Sequence, residues 1–133
     1  MSTPSTPEGG LRILIVEDEV LVSMFLSDVL MDFGHTVTGT ADTVDSALEL
    51  AAKHPCDLAF IDLGLAGHGD GIEAAYQLRE QHGVPALLMS GASESSVAAR
   101  AEKARPVGIL IKPYTEADVK RVLDTALAQL QGT

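Results

Sequence analysis

The sequence predicts an α/β fold built on a doubly wound, five-stranded parallel sheet, and three observations lead to that prediction. Short apolar runs alternate five times with segments of helical character along the 133 residues. Short loops join them, as in chains where successive strands pair in parallel through a helix. Most of the runs lack polar alternation, which is typical of strands covered on both faces. We therefore expect strand order 2-1-3-4-5, with five helices shared between the two faces.

The first half of this fold contains three strands and two helices, each with a local signal. Gly34 is expected to end the first helix, because glycine readily adopts the left-handed conformation of a helix C-cap. The second strand has a weak alternating pattern and should lie at the sheet edge. Thr43 can cap the second helix, which Pro55 stops. The predicted strands are 11–16, 35–40 and 57–62, and the predicted helices are 19–33 and 44–53.

The second half begins with a loop that contains four glycines, from Gly64 to Gly71. Pro85 opens the fourth strand, which runs to Ser90. The fourth helix is mostly Ala, Ser and charged residues and has little to bury. Thr115 and Asp118 resemble a capping box at the start of the fifth helix, whose apolar residues then recur at helical spacing. The predicted helices are 72–81, 94–104 and a last one that begins after Thr115, and the fifth strand is 107–111.

Composition limits the classes of partner and location. The formal net charge of −10 disfavours DNA, RNA and anionic membranes as direct partners. No apolar run approaches the roughly 20 residues that a membrane span needs. Cys56 is the single cysteine, so we expect a reducing, cytoplasmic setting without an intramolecular disulfide. Residues 1–10 are polar and lack signal-peptide character, so we expect a disordered N-terminal lead-in. One domain is expected over residues 11–131.

Polar side chains stand at the ends of four of the five predicted strands. Glu17 and Asp18 follow the first strand, Asp62 ends the third, Ser90 ends the fourth and Lys112 follows the fifth. The carboxyl ends of parallel strands share one edge of the sheet, where ligands usually bind. These residues, far apart in the sequence, are therefore expected to converge on one site.

The chemistry of this set points to a metal-assisted reaction. Carboxylates this close raise one another's pKa unless a cation lies among them, and Mg²⁺ prefers oxygen ligands. The carbonyl of Gly64 is a further candidate ligand. Lys112 supplies a fixed positive charge, and Ser90 can donate to an oxyanion because Ser93 is the better helix cap. The alternatives are solvated acids and a plain Lys112–Asp62 ion pair.

Together these groups suit phosphoryl transfer to a carboxylate. Asp62 would attack phosphorus in line, and no general base is needed because a carboxylate is already ionised at neutral pH. The bound Mg²⁺ and Lys112 would neutralise phosphoryl oxygens, and Ser90 would donate to one of them.

The sequence also resembles the receiver domains of two-component response regulators, which have a flavodoxin-like fold. The matching segments are Leu14 to Glu19, Phe60 to Leu63, Met89 to Ala92, and Lys112-Pro113. The resemblance implies that Asp62 accepts a phosphoryl group from a sensor histidine kinase or a histidine phosphotransfer protein. It implies Mg²⁺ at Asp18 and Asp62, with Glu17 bound directly or through water. It also implies that Ser90 and Lys112 sense the phosphate and that the Lys112–Pro113 bond is cis.

One departure from the family pattern concerns how phosphorylation is read out. Many receivers carry Tyr or Phe three residues before the lysine, at a position that moves with the hydroxyl residue. Here that position is Ile109. Tyr114, just after Pro113, is the nearest aromatic residue and could report the phosphorylation state instead.

The outer side of the first helix is a candidate docking surface. Val22, Leu26 and Val29 belong to its predicted inward face, whereas Val20, Met24 and Met31 fall on the opposite side, with Ser27 between them. In receivers this helix is where kinase or phosphotransfer bundles dock. We therefore expect a partner helix there, and we expect the phosphorylated form to regulate or relay to a partner protein.

Two other functions stay open at this point. A Mg²⁺-dependent phosphatase with an aspartyl nucleophile would want a second acid two residues after Asp62, where Gly64 stands. A degenerate receiver could act only as a protein-binding module. We expect no enzyme activity beyond self-phosphorylation and self-dephosphorylation at Asp62. Because the chain ends shortly after the fifth helix, we expect a stand-alone receiver, with an excised domain as the alternative and a weak homodimer left open.

Overall fold

The computed structural model describes residues 10–65 and 71–131. Most of the predicted lead-in, residues 1–9, and the middle of the glycine-rich loop lie outside these ranges. The strands are β1 (Arg12–Val16), β2 (Thr36–Ala41), β3 (Leu58–Asp62), β4 (Ala86–Ser90) and β5 (Gly108–Ile111). The helices are α1 (Val20–Asp32), α2 (Val44–Lys53), α3 (Gly71–His82), α4 (Glu94–Arg100) and α5 (Glu116–Gln131).

The five strands form one parallel sheet in the order β2-β1-β3-β4-β5, which confirms the predicted topology. Side chains that alternate along each strand divide the core into two clusters, one on each face of the sheet. One cluster packs beneath α1 and α5 around Phe60. The other packs beneath α2, α3 and α4 around Ile61 and Leu88. The central strands are therefore buried on both faces, as their apolar runs predict.

The helix caps follow the local sequence signals. Thr43 and Ser46 form a reciprocal capping box at the start of α2. Thr115 and Asp118 form another at the start of α5, with backbone-to-side-chain hydrogen bonds of 2.9 and 3.2 Å. Gly34, with φ of +93°, follows α1 in the left-handed region. These signals are short-range, which is why they could be read from the sequence.

The predicted end of the fourth helix was wrong. We expected helix over 94–104, but α4 ends at Arg100 and a 3₁₀ helix follows at Glu102–Ala104. The guanidinium group of Arg79, on α3, donates hydrogen bonds to the carbonyl oxygens of Lys103 and Ala104. These carbonyls therefore have a partner from another element, and the chain need not continue as an α-helix to satisfy them.

The carboxyl edge of the sheet is connected by backbone hydrogen bonds just beyond the strand ends. The N–H of Leu63 donates to the carbonyl of Met89 at 2.9 Å, and the N–H of Lys112 donates to the carbonyl of Ser90 at 2.7 Å. Residues that follow β3 and β5 are thus held directly by β4. No helix in the described ranges combines the length and apolar character needed to cross a bilayer.

Candidate functional site

Three carboxylates lie together at the carboxyl edge of the sheet. Asp62 is the last residue of β3, and Glu17 and Asp18 follow β1 directly. Val16 pairs with Ile61 in the parallel register, so one further residue on each strand brings Glu17 beside Asp62. Each of the three carboxylates offers an oxygen, and these oxygens lie within 4.8 Å of one another. Glu17 and Asp62 are buried and Asp18 is half-buried, so their mutual repulsion is poorly screened by solvent.

Lys112 brings the compensating charge. Its Nζ lies 2.8 Å from Oε1 of Glu17 and 3.2 Å from Oδ2 of Asp62. The carboxylate of Glu19, which the sequence analysis did not single out, lies 4.0 Å from the same nitrogen. The peptide bond from Lys112 to Pro113 is cis, in agreement with the family resemblance. One ammonium therefore serves several acids, and the cluster retains an excess of negative charge.

The pKa shifts reflect this balance. Burial raises the pKa of Glu17, while Lys112 and the backbone N–H of Glu19, which donates to Oε2 of Glu17 at 3.1 Å, oppose the rise. Burial also disfavours the charged form of Lys112, but the acidic groups of Glu17 and Asp62 outweigh it, and the pKa of Lys112 is raised. Lys112 is therefore a cation at neutral pH, whereas burial disfavours the ionised form of Glu17.

The donor set fits a divalent cation. Oε1 of Glu17 is buried and accepts no hydrogen bond of normal geometry within the described part of the chain, although Lys112 lies 2.8 Å away as an ion pair. A buried carboxylate oxygen in that state, beside two more carboxylates, matches the oxygen preference of Mg²⁺. The N–H of Gly64 donates to Oδ1 of Asp62 at 3.1 Å. The role of the Gly64 carbonyl as a ligand stays a prediction.

Ser90 borders the same site from β4. It is buried at the end of that strand, and its Oγ accepts the backbone N–H of Ala92 at 3.0 Å. Ser93 rather than Ser90 caps α4, as the sequence predicts. A cavity of about 350 Å³ is lined by Asp62, Ser90 and Lys112 together. The nucleophile candidate, the hydroxyl and the ammonium therefore face one common space, which is large enough for a small anion.

Comparison with known proteins decides the family. Residues 13–124 match the family of the response regulator receiver domain. The chain belongs to that family. The match runs from the second residue of β1 to the middle of α5 and includes every strand-end residue of the site. Magnesium and a phosphorylated aspartate are typical of receiver domains, which agrees with the acidic cluster described above.

Curated relatives and solved structures agree with this assignment. The receiver is 30% identical to the transcriptional regulatory protein PdtaR of Mycobacterium tuberculosis, over 90% of this chain and 58% of that protein. It is 36% identical to the KDP operon transcriptional regulatory protein KdpE of Escherichia coli, over 92% of this chain and 53% of that protein. It thus spans a little over half the length of these relatives. The solution structure of the receiver domain of Erythrobacter litoralis PhyR aligns with a TM-score of 0.77 at 32% identity, covering 90% of this chain and 92% of that one.

The two residues expected to distinguish this receiver occupy different surroundings. Ile109, in β5, is half-buried and packs against the core cluster beneath α2, α3 and α4. Tyr114 lies on the other face, where its ring centroid is 6.1 Å from that of Phe25. Its hydroxyl is buried without a hydrogen-bond partner in the described residues. Burial, together with the negative charge of Glu17, raises the pKa of Tyr114 to about 12.

The outer surface of α1 is more apolar than the predicted stripe. Val20, Met24 and Met31 are 68%, 57% and 51% exposed, as expected, but Leu21 is also 80% exposed and Phe25 42%. Nine of the 13 residues of α1 are apolar, which is more than one buried face requires. This excess is the sequence signal from which the wider apolar surface could have been predicted. Leu21 and Phe25 line a groove of about 490 Å³. Its other lining residues are Glu19, Val22, Lys112, Pro113 and Tyr114.

Gly71 is a second feature that the sequence analysis did not resolve. A Cβ atom at this position would lie 2.3 Å from the carbonyl oxygen of Asp62 and 2.7 Å from the Cα of Leu63. The start of α3 therefore packs directly on the backbone that carries Asp62. The only sequence signal was that Gly71 ends a glycine-rich run, and spacing alone could not say which of these glycines makes the close approach.

Proposed function

We propose that this receiver is a working phosphoacceptor, in which Asp62 takes a phosphoryl group from a phosphohistidine of a sensor histidine kinase or a histidine phosphotransfer protein. The P–N bond to the donor histidine breaks as a P–O bond forms to a carboxylate oxygen of Asp62. The donor imidazole leaves with the bonding electron pair. The phosphorylated form then regulates, or relays to, a partner protein in the cytoplasm.

Each residue of the site would have a separate role in phosphoryl transfer. A carboxylate nucleophile needs no general base, so Asp62 can attack directly. The Lys112 ammonium, which lies beside Asp62, can move toward one phosphoryl oxygen. The Ser90 hydroxyl can donate a hydrogen bond to another phosphoryl oxygen. Glu17, Asp18 and Asp62 would hold Mg²⁺, which would supply charge neutralisation at the transferring group.

The observation that carries this proposal is the shared cavity of Asp62, Ser90 and Lys112 beside the cluster of three carboxylates. A structural ion pair alone would not explain why three carboxylates lie together beside one ammonium, nor why a hydroxyl faces the same space. The position two residues after Asp62 is Gly64, which cannot act as the second acid of an aspartyl phosphatase. Self-modification of Asp62 is therefore favoured over turnover of external substrates.

Intact-mass measurement after incubation with acetyl phosphate and Mg²⁺ tests the proposal. We expect one phosphoryl adduct in the parent protein and in Asp45→Asn, an exposed-acid control on α2. We expect none in Asp62→Asn or when EDTA replaces Mg²⁺. An adduct that persists in Asp62→Asn, or the failure of the parent to form one, would reject Asp62 as the phosphoacceptor.

We also propose that the outer surface of α1 is where the phosphodonor protein docks. Val20, Met24 and Met31, widened by Leu21 and Phe25, expose apolar side chains on the helix that follows the acidic site. An amphipathic helix of a partner could bury these side chains and bring its histidine to Asp62. The apolar groove beside Tyr114 extends the same surface.

Substitution Met24→Glu separates docking from chemistry. It should slow phosphotransfer from the cognate kinase about tenfold or more, as expected for an apolar anchor at an interface. Phosphorylation by acetyl phosphate should be unchanged, because this small donor needs no docking surface. Ala128→Glu, at an exposed position of α5, is the matched control. Equal losses with both donors would argue against docking at Met24.

A further inference from the structure

The cavity that contains Asp62 has an acidic residue at its outer end, and the roles proposed above for phosphoryl transfer do not use it. Glu19 lines this cavity together with Asp62, Ser90 and Lys112. The side chain of Glu19 is 67% exposed, whereas those of Lys112 and Asp62 are 19% and 7% exposed. A ligand that enters the cavity from solvent therefore passes the Glu19 carboxylate before it reaches Asp62.

The charge of Glu19 is only weakly offset by Lys112. The ammonium nitrogen of Lys112 lies 2.8 Å from Glu17 and 3.2 Å from Asp62, but 4.0 Å from Glu19. An ion pair of this length with an exposed carboxylate contributes little. With Mg²⁺ bound, its two charges and that of Lys112 would balance the cluster of three carboxylates, which leaves the charge of Glu19 in excess.

The local fold does not depend on the side chain of Glu19. It is the last residue before α1, and its side chain makes no capping hydrogen bond to that helix. Its backbone N–H donates to Oε2 of Glu17 at 3.1 Å, and its backbone carbonyl accepts the N–H of Ser23 at 3.0 Å. Both hydrogen bonds are compatible with another side chain at this position. A substitution of Glu19 therefore tests its charge rather than the fold.

We propose that Glu19 is a specificity-determining residue that disfavours small anionic phosphodonors at Asp62. The inference rests on the proposed function, since it concerns the donor from which Asp62 takes its phosphoryl group. A like charge at the entrance of a cavity lowers the local concentration of an anion and slows its association. A protein donor offsets this repulsion with apolar contacts, which Leu21 and Phe25 offer in the groove that Glu19 also lines. The receiver would thus respond to its protein donor rather than to free acyl phosphates.

Two small donors of different charge test this inference. Acetyl phosphate is a dianion at neutral pH, whereas phosphoramidate carries a single net negative charge. The rate of adduct formation with each donor is measured by intact mass at saturating Mg²⁺ in the parent, Glu19→Gln and Glu19→Lys. With acetyl phosphate we expect gains of about threefold and about tenfold, the order for one and two units of charge in a largely solvated setting. With phosphoramidate the gains should be about half as large on a logarithmic scale.

The ratio of the two rates separates the charge of Glu19 from its other effects. Loss of its contact with Lys112, altered binding of Mg²⁺ or a change in the fold would act on both donors and cancel in the ratio. Equal gains with both donors, or no gain with either, would overturn the inference and leave the proposed function intact. No adduct in the parent with either donor would reject the proposed function, and the inference with it.

A change of salt concentration and a control variant complete the test. The advantage of Glu19→Gln over the parent should nearly disappear in about 1 M KCl, where the Debye length is about 3 Å. Glu49→Gln, at an exposed position of α2, makes the same change in net charge away from the cavity and should react like the parent. An advantage that persists at high salt, or an equal gain in Glu49→Gln, would overturn the inference.

Discussion

The ammonium nitrogen of Lys112 lies 2.8 Å from Oε1 of Glu17, a carboxylate whose side chain has no exposed surface. The ion pair of Lys112 with Asp62, which the sequence had suggested, is present but longer, at 3.2 Å. In the resting protein the lysine is thus held first by Glu17. The nucleophile candidate is only partly neutralised, which leaves it available to a phosphoryl donor.

Replacing Glu17 should therefore stabilise the resting protein. Its pKa is raised in the folded state above the ordinary value of 4.5, so the folded chain binds more protons than the unfolded chain. Stability falls as the pH rises through that window, and the loss persists at neutral pH. In EDTA at neutral pH we expect Glu17→Gln to gain about 1 kcal/mol in urea unfolding.

The added effect of Mg²⁺ completes this test. Mg²⁺ should stabilise the parent more than Glu17→Gln, because a ligand of the ion is lost and ligand binding adds to stability. Glu49→Gln, on the exposed side of α2, is the control and should change neither value. A loss of stability in Glu17→Gln in EDTA would mean that the ion pair outweighs the cost of burial.

Gly71→Ala should disturb the site without touching a charged residue. The added methyl would lie 2.3 Å from the carbonyl oxygen of Asp62, and backbone cannot yield as a flexible side chain can. We expect a loss of about 2–3 kcal/mol in unfolding free energy, together with slower phosphorylation by acetyl phosphate. Gly91→Ala is the control for the unfolding free energy, since a Cβ there meets no atom within 4 Å. Similar stability of both variants would show that α3 shifts freely away from β3.

The burial of His35 should make the folding stability of the protein depend on pH. The side chain is buried, and its Nδ1 accepts the backbone N–H of Leu11 at 3.0 Å, so it is neutral in the folded state. Burial, and then the charge of Lys120, lower the pKa of His35 below 6.5, against the opposing effect of Asp124. The unfolded chain therefore binds the extra proton, and stability is complete above pH 6.5 and falls as the pH drops towards the folded pKa.

Urea unfolding at a series of pH values measures this effect. On acidification through that window we expect the parent to lose up to about 1 kcal/mol, the order of the hydrogen bond that protonation breaks. His35→Gln should remove this part of the pH dependence, whereas His82→Gln, at an exposed position at the end of α3, should retain it. A slope that is unchanged in His35→Gln would assign the effect to other groups.

The thiol of Cys56 should be unreactive in the folded protein. Burial, with a smaller contribution from Asp57, raises its pKa to about 11. Because only the thiolate is nucleophilic, alkylation by iodoacetamide at neutral pH should be about 100-fold slower than in the urea-unfolded chain. Mass spectrometry after timed quenching gives the two rates. Equal rates would mean that the site opens locally faster than the reagent attacks.

The parts of the fold that the sequence could predict depend on short-range patterns. The strand order follows from the alternation of apolar runs and helices, and the caps at Thr43 and Thr115 follow from residues three apart. The convergence of Asp62, Ser90 and Lys112 could also be anticipated, because parallel strands place their ends at one edge. These rules need no knowledge of which side chains touch across the molecule.

The parts that escaped prediction depend on contacts between distant residues. The end of α4 is set with the help of Arg79, which lies 25 residues before the Ala104 carbonyl that it binds. The exposure of Leu21 and Phe25 depends on how the apolar helix α1 packs against the rest of the fold. The close approach of Gly71 to Asp62 is a backbone contact that no residue pattern specifies.

The two backbone hydrogen bonds beyond the strand ends make β4 the common support of the site. Leu63, next to Asp62, is attached to Met89, and Lys112 is attached to Ser90. Neighbouring peptide units of a single strand thus fix the separation between Asp62 and Lys112, which are 50 residues apart in the sequence. A movement of that strand by a fraction of an ångström would be transmitted to both residues at once, so core substitutions at Leu87 or Leu88 should alter the reactivity of the Asp62 carboxylate.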